Sequence, residues 1–283
     1  MPDQFARKFS IEVTRPPASE IAGLAEILPA GTPIYFSAVP TVTSEELVAA
    51  AALLRKVGLE PVIHIAARRI RTADDLRHLL AGLRTEADVR RLLVIGGDVD
   101  STGLFADALA VIQKGRLREA GFTEIGVGAY PEGHPRIPRE RLAASLDEKI
   151  ASATAQGLRV HIVSQFSFSA DSIVAWLKQL RGSGINNPVR VGLAGPTSVP
   201  ALLRFAKRCG VSASLRGLMS GAASSLVGHL GPDRLVAALS ATGAELGDIH
   251  PHYYSFGGVL ETARYACKAA QTDCAAADTG AQS

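Results

Sequence analysis

Cysteine is scarce in this chain. Cys209, Cys267 and Cys274 are the only three among 283 residues. They are an odd number at spacings that match no zinc motif, so neither a disulfide framework nor a thiolate metal site is expected to organise the fold, and a reducing compartment is. Aromatic residues make up 5%, too few for the stacking platforms that hold single-stranded nucleic acid. An excess of one charge is missing as well. Thirty Lys and Arg face 27 Asp and Glu, a net +3, which argues for neither nucleic acid nor an anionic membrane as a partner. No apolar run has the length of a membrane span, and the opening MPDQFARKF lacks the apolar core of a signal peptide, so a soluble, cytoplasmic protein is expected. Three motifs are absent too: no G-x-G-x-x-G follows the first strand, no G-x-x-x-x-G-K-[ST] occurs, and no G-x-S-x-G offers a nucleophile elbow.

What the chain does have is a large apolar fraction, 47%, arranged in short β-branched runs separated by amphipathic stretches. Runs at Phe9 to Thr14, Pro33 to Val39, Pro61 to Ala67, Arg91 to Asp98, Ile125 to Ala129, Arg159 to Gln165, Val189 to Gly195 and Ile249 to Phe256 read as strands. Helical segments lie between them, opened by Thr43-Ser44-Glu45-Glu46 and Thr72-Ala73-Asp74-Asp75, and stretches such as Gly103 to Ala120 and Pro138 to Gly157. Strand and helix alternate about eight times, which predicts an α/β fold: a single-domain (β/α)₈ TIM barrel over residues 1–270, followed by a small, polar, disordered tail over 271–283. A doubly wound open sheet is the alternative. The stretch 209–247 reads as a helical, alanine-rich insertion, and Pro251 is expected to make the start of the last strand irregular.

Functional groups gather at the ends of these strands, where a barrel places its chemistry. Val127 to Pro135, VGAYPEGHP, brings Tyr130, Glu132 and His134 into one loop stiffened by two prolines. Glu12 interrupts an apolar first strand. Burial there would raise its pKa, whereas an edge strand would leave it in water. His64 lies within the third strand and points either into the barrel mouth or into a satisfied core. Gly96-Gly97-Asp98 ends the fourth strand with a backbone that a ligand can approach closely and an acid at the tip, a combination that also suits an ordinary turn. Gln165 stands at the tip of the sixth strand, before Phe166-Ser167-Phe168. Trp176 reads as core packing. His250 and His252 form an H-x-H pair on one face of the last strand, the only hint of a barrel hydrolase metal site, with no Asp or Lys at a strand tip to complete it.

In this order and spacing, FSIEV, IGGD, AYPEGHP, QFSF and HYYSF resemble the methylenetetrahydrofolate reductase family over about Phe9 to Tyr265, and AYPEGHP is the most specific of the five. The resemblance implies a (β/α)₈ barrel holding FAD, which passes hydride from NADH or NADPH to the methylene carbon of 5,10-methylenetetrahydrofolate to give 5-methyltetrahydrofolate. It implies Glu12 as general acid and Asp98 beside it in catalysis, with Asp98, Gln165 and Phe168 binding the folate. His64, Gly97, Tyr130, His134 and Lys149 are implied as cofactor contacts, with no metal. The chain departs from the family where Gly96 replaces an Arg that helps hold the flavin diphosphate, Val39 a Thr, and Gly257-Gly258 an Asn-Arg; the loop after Asp98 is also shorter. A flavin-free variant that takes hydride directly from NADH, and a non-catalytic pterin-binding module, are the readings these departures open. A small-molecule folate is the expected partner, and a homo-oligomer is compatible with the sequence.

Overall fold

The computed structural model describes residues 4–37, 39, 42–99, 103–209, 229–242 and 245–271. Eight strands carry the fold: β1 (Ser10–Val13), β2 (Pro33–Phe36), β3 (Glu60–Ala66), β4 (Arg91–Ile95), β5 (Glu124–Ala129), β6 (Arg159–Ser164), β7 (Val189–Ala194) and β8 (Ile249–Tyr254). All neighbouring pairs are parallel, and the sheet closes on itself in the order β1-β8-β7-β6-β5-β4-β3-β2. Closure leaves no edge strand, so the open-sheet alternative falls and the expected (β/α)₈ barrel stands.

A short helix, α1 (Gln4–Arg7), precedes the first strand; helices fill the crossovers that parallel pairing demands, α2 (Ala18–Ile27), α3 (Ser44–Lys56), α4 (Ala73–Thr85), α5 (Ala108–Lys114), α6 (Arg139–Ala155), α7 (Ala170–Gly182), and α8 (Val199–Cys209) with α9 (Asp233–Thr242); and α10 (Val259–Ala270) follows the last strand. Their starts are set by side chains. Thr43 with Glu46 and Thr72 with Asp75 form reciprocal capping boxes on α3 and α4, each worth about 0.5–2 kcal/mol against alanine at the cap. The helix expected over Gly103 to Ala120 is much shorter, because the Asp107 side chain caps Ala110 N at 2.9 Å and Gly115 follows the last turn.

The outward faces of the strands meet the inner stripes of the helices in one large core, which includes Ile11, Val13, Ile63, Ile65, Val94, Val127 and Ile162. Trp176 packs partly buried against that core, as expected. Pro251 does not disturb its strand: the β8–β7 ladder keeps its register from Ile249↔Val189 through Pro251↔Val191 to Tyr254↔Ala194. A proline removes one donor without shifting the pairing, so the expected irregularity is absent. A two-residue ladder joins Thr197–Ser198 to His229–Leu230. Residues 210–228 and 243–244 of the stretch read as an insertion, and 272–283 of the tail, lie outside the described residues.

The inside of the barrel is unusual. Such interiors are mostly filled by branched aliphatic side chains, yet here Ser10, His64, His161 and His252 are all buried beside an apolar cluster of Tyr35, Val62, Leu93 and Val163. Buried polar groups need partners, and those partners define the site.

Candidate functional site

Glu12 is the hub. It sits near the C-terminal end of β1, paired with Tyr35 on one side and Tyr254 on the other, and its side chain is 15% exposed. The Ser37 hydroxyl donates to Oε1 at 2.7 Å. Oε2 faces two imidazoles, with His252 Nε2 at 3.3 Å and His64 Nε2 at 3.5 Å. The other His252 nitrogen, Nδ1, is 2.9 Å from Ser10 Oγ, so the ring is held between two residues of the same strand. The Ser255 hydroxyl donates to the Glu12 carbonyl at 2.6 Å and fixes the backbone below the carboxylate.

The electrostatics reverse one expectation. Burial alone would push the Glu12 carboxyl up, as read from the sequence, but the charge of His64, the hydrogen bond and charge of His252 and the hydroxyl of Ser37 outweigh it and hold the group below its ordinary value. The raised pKa expected for a strand glutamate is therefore corrected. Its partners come from β3, β8 and the residue after β2, where they are invisible to a reading of the first strand. His64 is lowered too, by burial first, with Glu12 opposing and His252 reinforcing the shift. Glu12 and His64, this close, titrate as a coupled pair.

An aromatic wall stands on the β6–β8 side. Phe166 packs edge-on against Phe168, Tyr254 and Phe256 at 5.6, 5.5 and 4.9 Å between ring centroids, and Phe205 stacks on Phe256 at 4.1 Å. The Tyr254 ring meets His252 at 5.0 Å, which links this wall to Glu12. Gln165 turns its side-chain oxygen back to Phe166 N at 3.1 Å, leaving its amide nitrogen as the outward group.

On the β3–β5 side the expected residues take varied positions. His64 lies inside the barrel at Glu12. Asp98 pairs with Arg69, from the turn that follows β3. Two nitrogens of that guanidinium, Nε and Nη1, are buried without a partner among the described residues. Gly97 adopts φ +93°, which favours glycine. Arg68 donates to Gly97 O and Ala106 O, and its Nη2 is 3.9 Å from where Gly96 would carry a Cβ. Tyr130 and His134 meet edge to face at 5.2 Å, and His134 is lowered by burial and by the charges of Arg136 and Arg68. Lys149, from α6, buries its ammonium 3.0 Å from Gly128 O, and burial brings it down to about 8. Part of the shorter loop after Asp98, residues 100–102, lies outside the described residues.

The two histidines of the H-x-H pair are committed to different partners. His250 Nε2 is 2.8 Å from Asp248, while His252 serves Glu12 and Ser10. Among the described residues, no group of three or more His, Cys, Asp or Glu converges as a metal site. No helix among them is long and apolar enough to cross a membrane. Sequence reading missed Ser10, Ser37 and Arg69, and the pairing of His252 with Glu12. The two-residue alternation of FSIEV, which puts Ser10 on the face of Glu12, was the one available signal.

Fold and site together define a (β/α)₈ barrel with a buried carboxylate–imidazole centre at the C-terminal mouth. The chain belongs to the methylenetetrahydrofolate reductase family, whose sequence model matches residues 12–215. A Caenorhabditis elegans protein named probable methylenetetrahydrofolate reductase (NADPH) is 27% identical over 173 residues, 60% of this chain and 25% of that protein. Methylenetetrahydrofolate reductase 2 of Saccharomyces cerevisiae is 31% identical over 83 residues, 29% of this chain and 14% of that one. The aligned part thus spans a quarter or less of these relatives' length. Among solved structures, dihydropteroate synthase from Thermus thermophilus aligns with a TM-score of 0.51 at 15% identity, covering 93% of this chain and 92% of that one, a likeness of fold alone.

Proposed function

We propose that this barrel interconverts 5,10-methylenetetrahydrofolate and 5-methyltetrahydrofolate by hydride transfer, with Glu12 as the proton donor. The observation that carries the reading is the placement of Glu12: in a chain of this family, the one carboxylate on β1 lies at the strand's C-terminal end, enclosed by Ser37, His64 and His252. Protonating the departing ring nitrogen breaks its bond to the methylene carbon and leaves an electrophilic iminium, to which hydride from reduced nicotinamide adds. Each donation leaves a carboxylate that must take up a proton again, and the 15% of its side chain left exposed gives it a route to solvent. The aromatic wall of Phe166, Phe168, Tyr254 and Phe256 offers a flat pterin a face to pack on, and the Gln165 amide a donor at its edge.

The residues on the opposite side fit a dinucleotide. Arg68 puts a guanidinium beside Gly96, where the chain lacks an arginine of its own, and Gly97 lets the backbone approach closely. Tyr130, His134 and Lys149 complete the side from which FAD would be held. FAD, when bound, would relay the hydride from NADH or NADPH.

The deciding experiment replaces Glu12 by Gln. Shape and reach persist while the titratable proton goes, so turnover of methylenetetrahydrofolate falls roughly 10²-fold or more and folate binding survives. Undiminished turnover in Glu12→Gln would refute Glu12 as the donor. Folate binding by the parent protein, with no nicotinamide oxidation under any condition, would favour a binding module instead.

A further inference from the structure

A second polar string runs beneath Glu12, and no step of the proposed reaction uses it. Tyr35 on β2 is 2% exposed, and its hydroxyl lies 2.7 Å from His161 Nε2. His161 Nδ1 is in turn 2.9 Å from Glu124 Oε1. The other oxygen of Glu124 is 3.4 Å from Arg91 Nε and 3.3 Å from Arg159 Nη2. Glu124 is the first residue of β5, so the string is anchored at the N-terminal end of the barrel, away from the proposed chemistry.

Its protons have one consistent arrangement. Burial would raise the Glu124 carboxyl, but His161, Arg91 and Arg159 bring it down to about 2. An ionised carboxylate only accepts, so the 2.9 Å charge contact with Glu124 favours the proton on His161 Nδ1 and leaves Nε2 to accept from Tyr35. Burial lowers His161 and raises Tyr35, which keeps both rings neutral, and Arg190 of β7 faces the same hydroxyl. Space for the imidazole is written into β5: a Cβ on Gly126 would fall 2.7 Å from His161 Nε2 and 3.0 Å from Leu93 Cδ1.

The far end of the string is the Tyr35 ring. It meets His252 at 4.6 Å with an interplanar angle of 72°, and His64 at 6.3 Å and 78°. These are the two imidazoles on Glu12 Oε2. We propose that Tyr35 is a positioning residue: pinned through His161 to Glu124, its ring fixes the imidazoles of His252 and His64 against the Glu12 carboxylate. A ring free to swing would let both imidazoles drift from a partner already 3.3 to 3.5 Å away. The consequence for turnover rests on Glu12 being the proton donor; the positioning itself does not.

The test reads the contact directly, as a double-mutant cycle on the histidine ring ¹⁵N–¹H resonances of the whole protein. Glu12→Gln displaces the His252 and His64 signals, and this displacement measures the coupling to Glu12. In a Tyr35→Phe background, the expected displacement is roughly half of the original or less. His161→Leu should act like Tyr35→Phe, whereas His161→Gln, whose amide oxygen can still accept from the hydroxyl, should keep most of the parent coupling. An undiminished displacement in both Tyr35→Phe and His161→Leu overturns the proposal and makes Tyr35 a packing residue. If Tyr35→Phe does not fold, the two His161 variants decide the matter with Tyr35 intact. With methylenetetrahydrofolate, kcat should fall about tenfold in Tyr35→Phe with KM unchanged. A parent protein with no turnover refutes the reductase reading alone, because the resonance cycle still decides the role of Tyr35.

Discussion

The acid–base behaviour of Glu12 is set by three neighbours that oppose its burial. A carboxyl held below its ordinary value is mostly ionised at neutral pH, so the donor form grows as the pH falls. For the free protein, kcat/KM toward methylenetetrahydrofolate should therefore rise by up to about tenfold per unit as the pH is lowered through the neutral range. A profile in Glu12→Gln isolates this contribution, since the slope should vanish there. A parent profile that falls on the acid side would mean that protonating His64 does more harm than protonating Glu12 does good. The identity of this residue was legible in the sequence, because a single acid stood in an apolar strand. The sign of its shift was not. That sign depends on His64 and His252, which lie on other strands, and no local pattern tells which side chains a closed barrel brings to one carboxylate.

Among the elements, β5 serves two masters. Its C-terminal end delivers the Tyr130–His134 loop, and its first half makes way for His161 through Gly126. Close approach is used at Gly126, and nothing in the local sequence tells that an imidazole from β6 is what approaches it. Gly126→Ala must displace either His161 or Leu93, so a loss of about 1–3 kcal/mol is expected in chemical denaturation. Gly128→Ala, where a Cβ would meet only Ile95 Cγ2 at 3.9 Å, should change stability far less. Equal losses at the two positions would show that the imidazole moves aside freely. The helices were legible for a related reason. Thr43 and Thr72 cap locally, within three residues, and such signals survive in a linear reading, whereas α5 was overextended because Asp107 stops it from inside a run that otherwise looks helical.

At the scale of the molecule, the alternation of strand and helix was enough to specify the closed barrel, since eight parallel strands with crossovers have few other ways to bury both faces. Cofactor use belongs to this scale as well, because the side proposed to hold a dinucleotide draws on β3, β4, β5 and α6 together. If Arg68 stands in for the arginine missing at Gly96, freshly purified protein should show flavin absorbance, and Arg68→Ala should lose much of it while Glu12→Gln keeps it. Colourless parent protein that still oxidises NADH with methylenetetrahydrofolate, unaffected by added FAD, would make the hydride transfer direct.

The seam of the barrel carries a consequence for synthesis. Glu12 and His252 are 240 positions apart in the chain, yet they share a hydrogen bond, because β8 closes the sheet against β1. At roughly 5–20 residues per second, a ribosome needs on the order of 10 to 50 seconds between making the two. Throughout that interval the nascent chain carries its carboxylate without the imidazole of β8, on a strand whose flank still lacks a neighbour. Competence for chemistry would thus arrive late and all at once, and the unpaired flank of β1 is where a growing chain would most need shielding from other nascent chains.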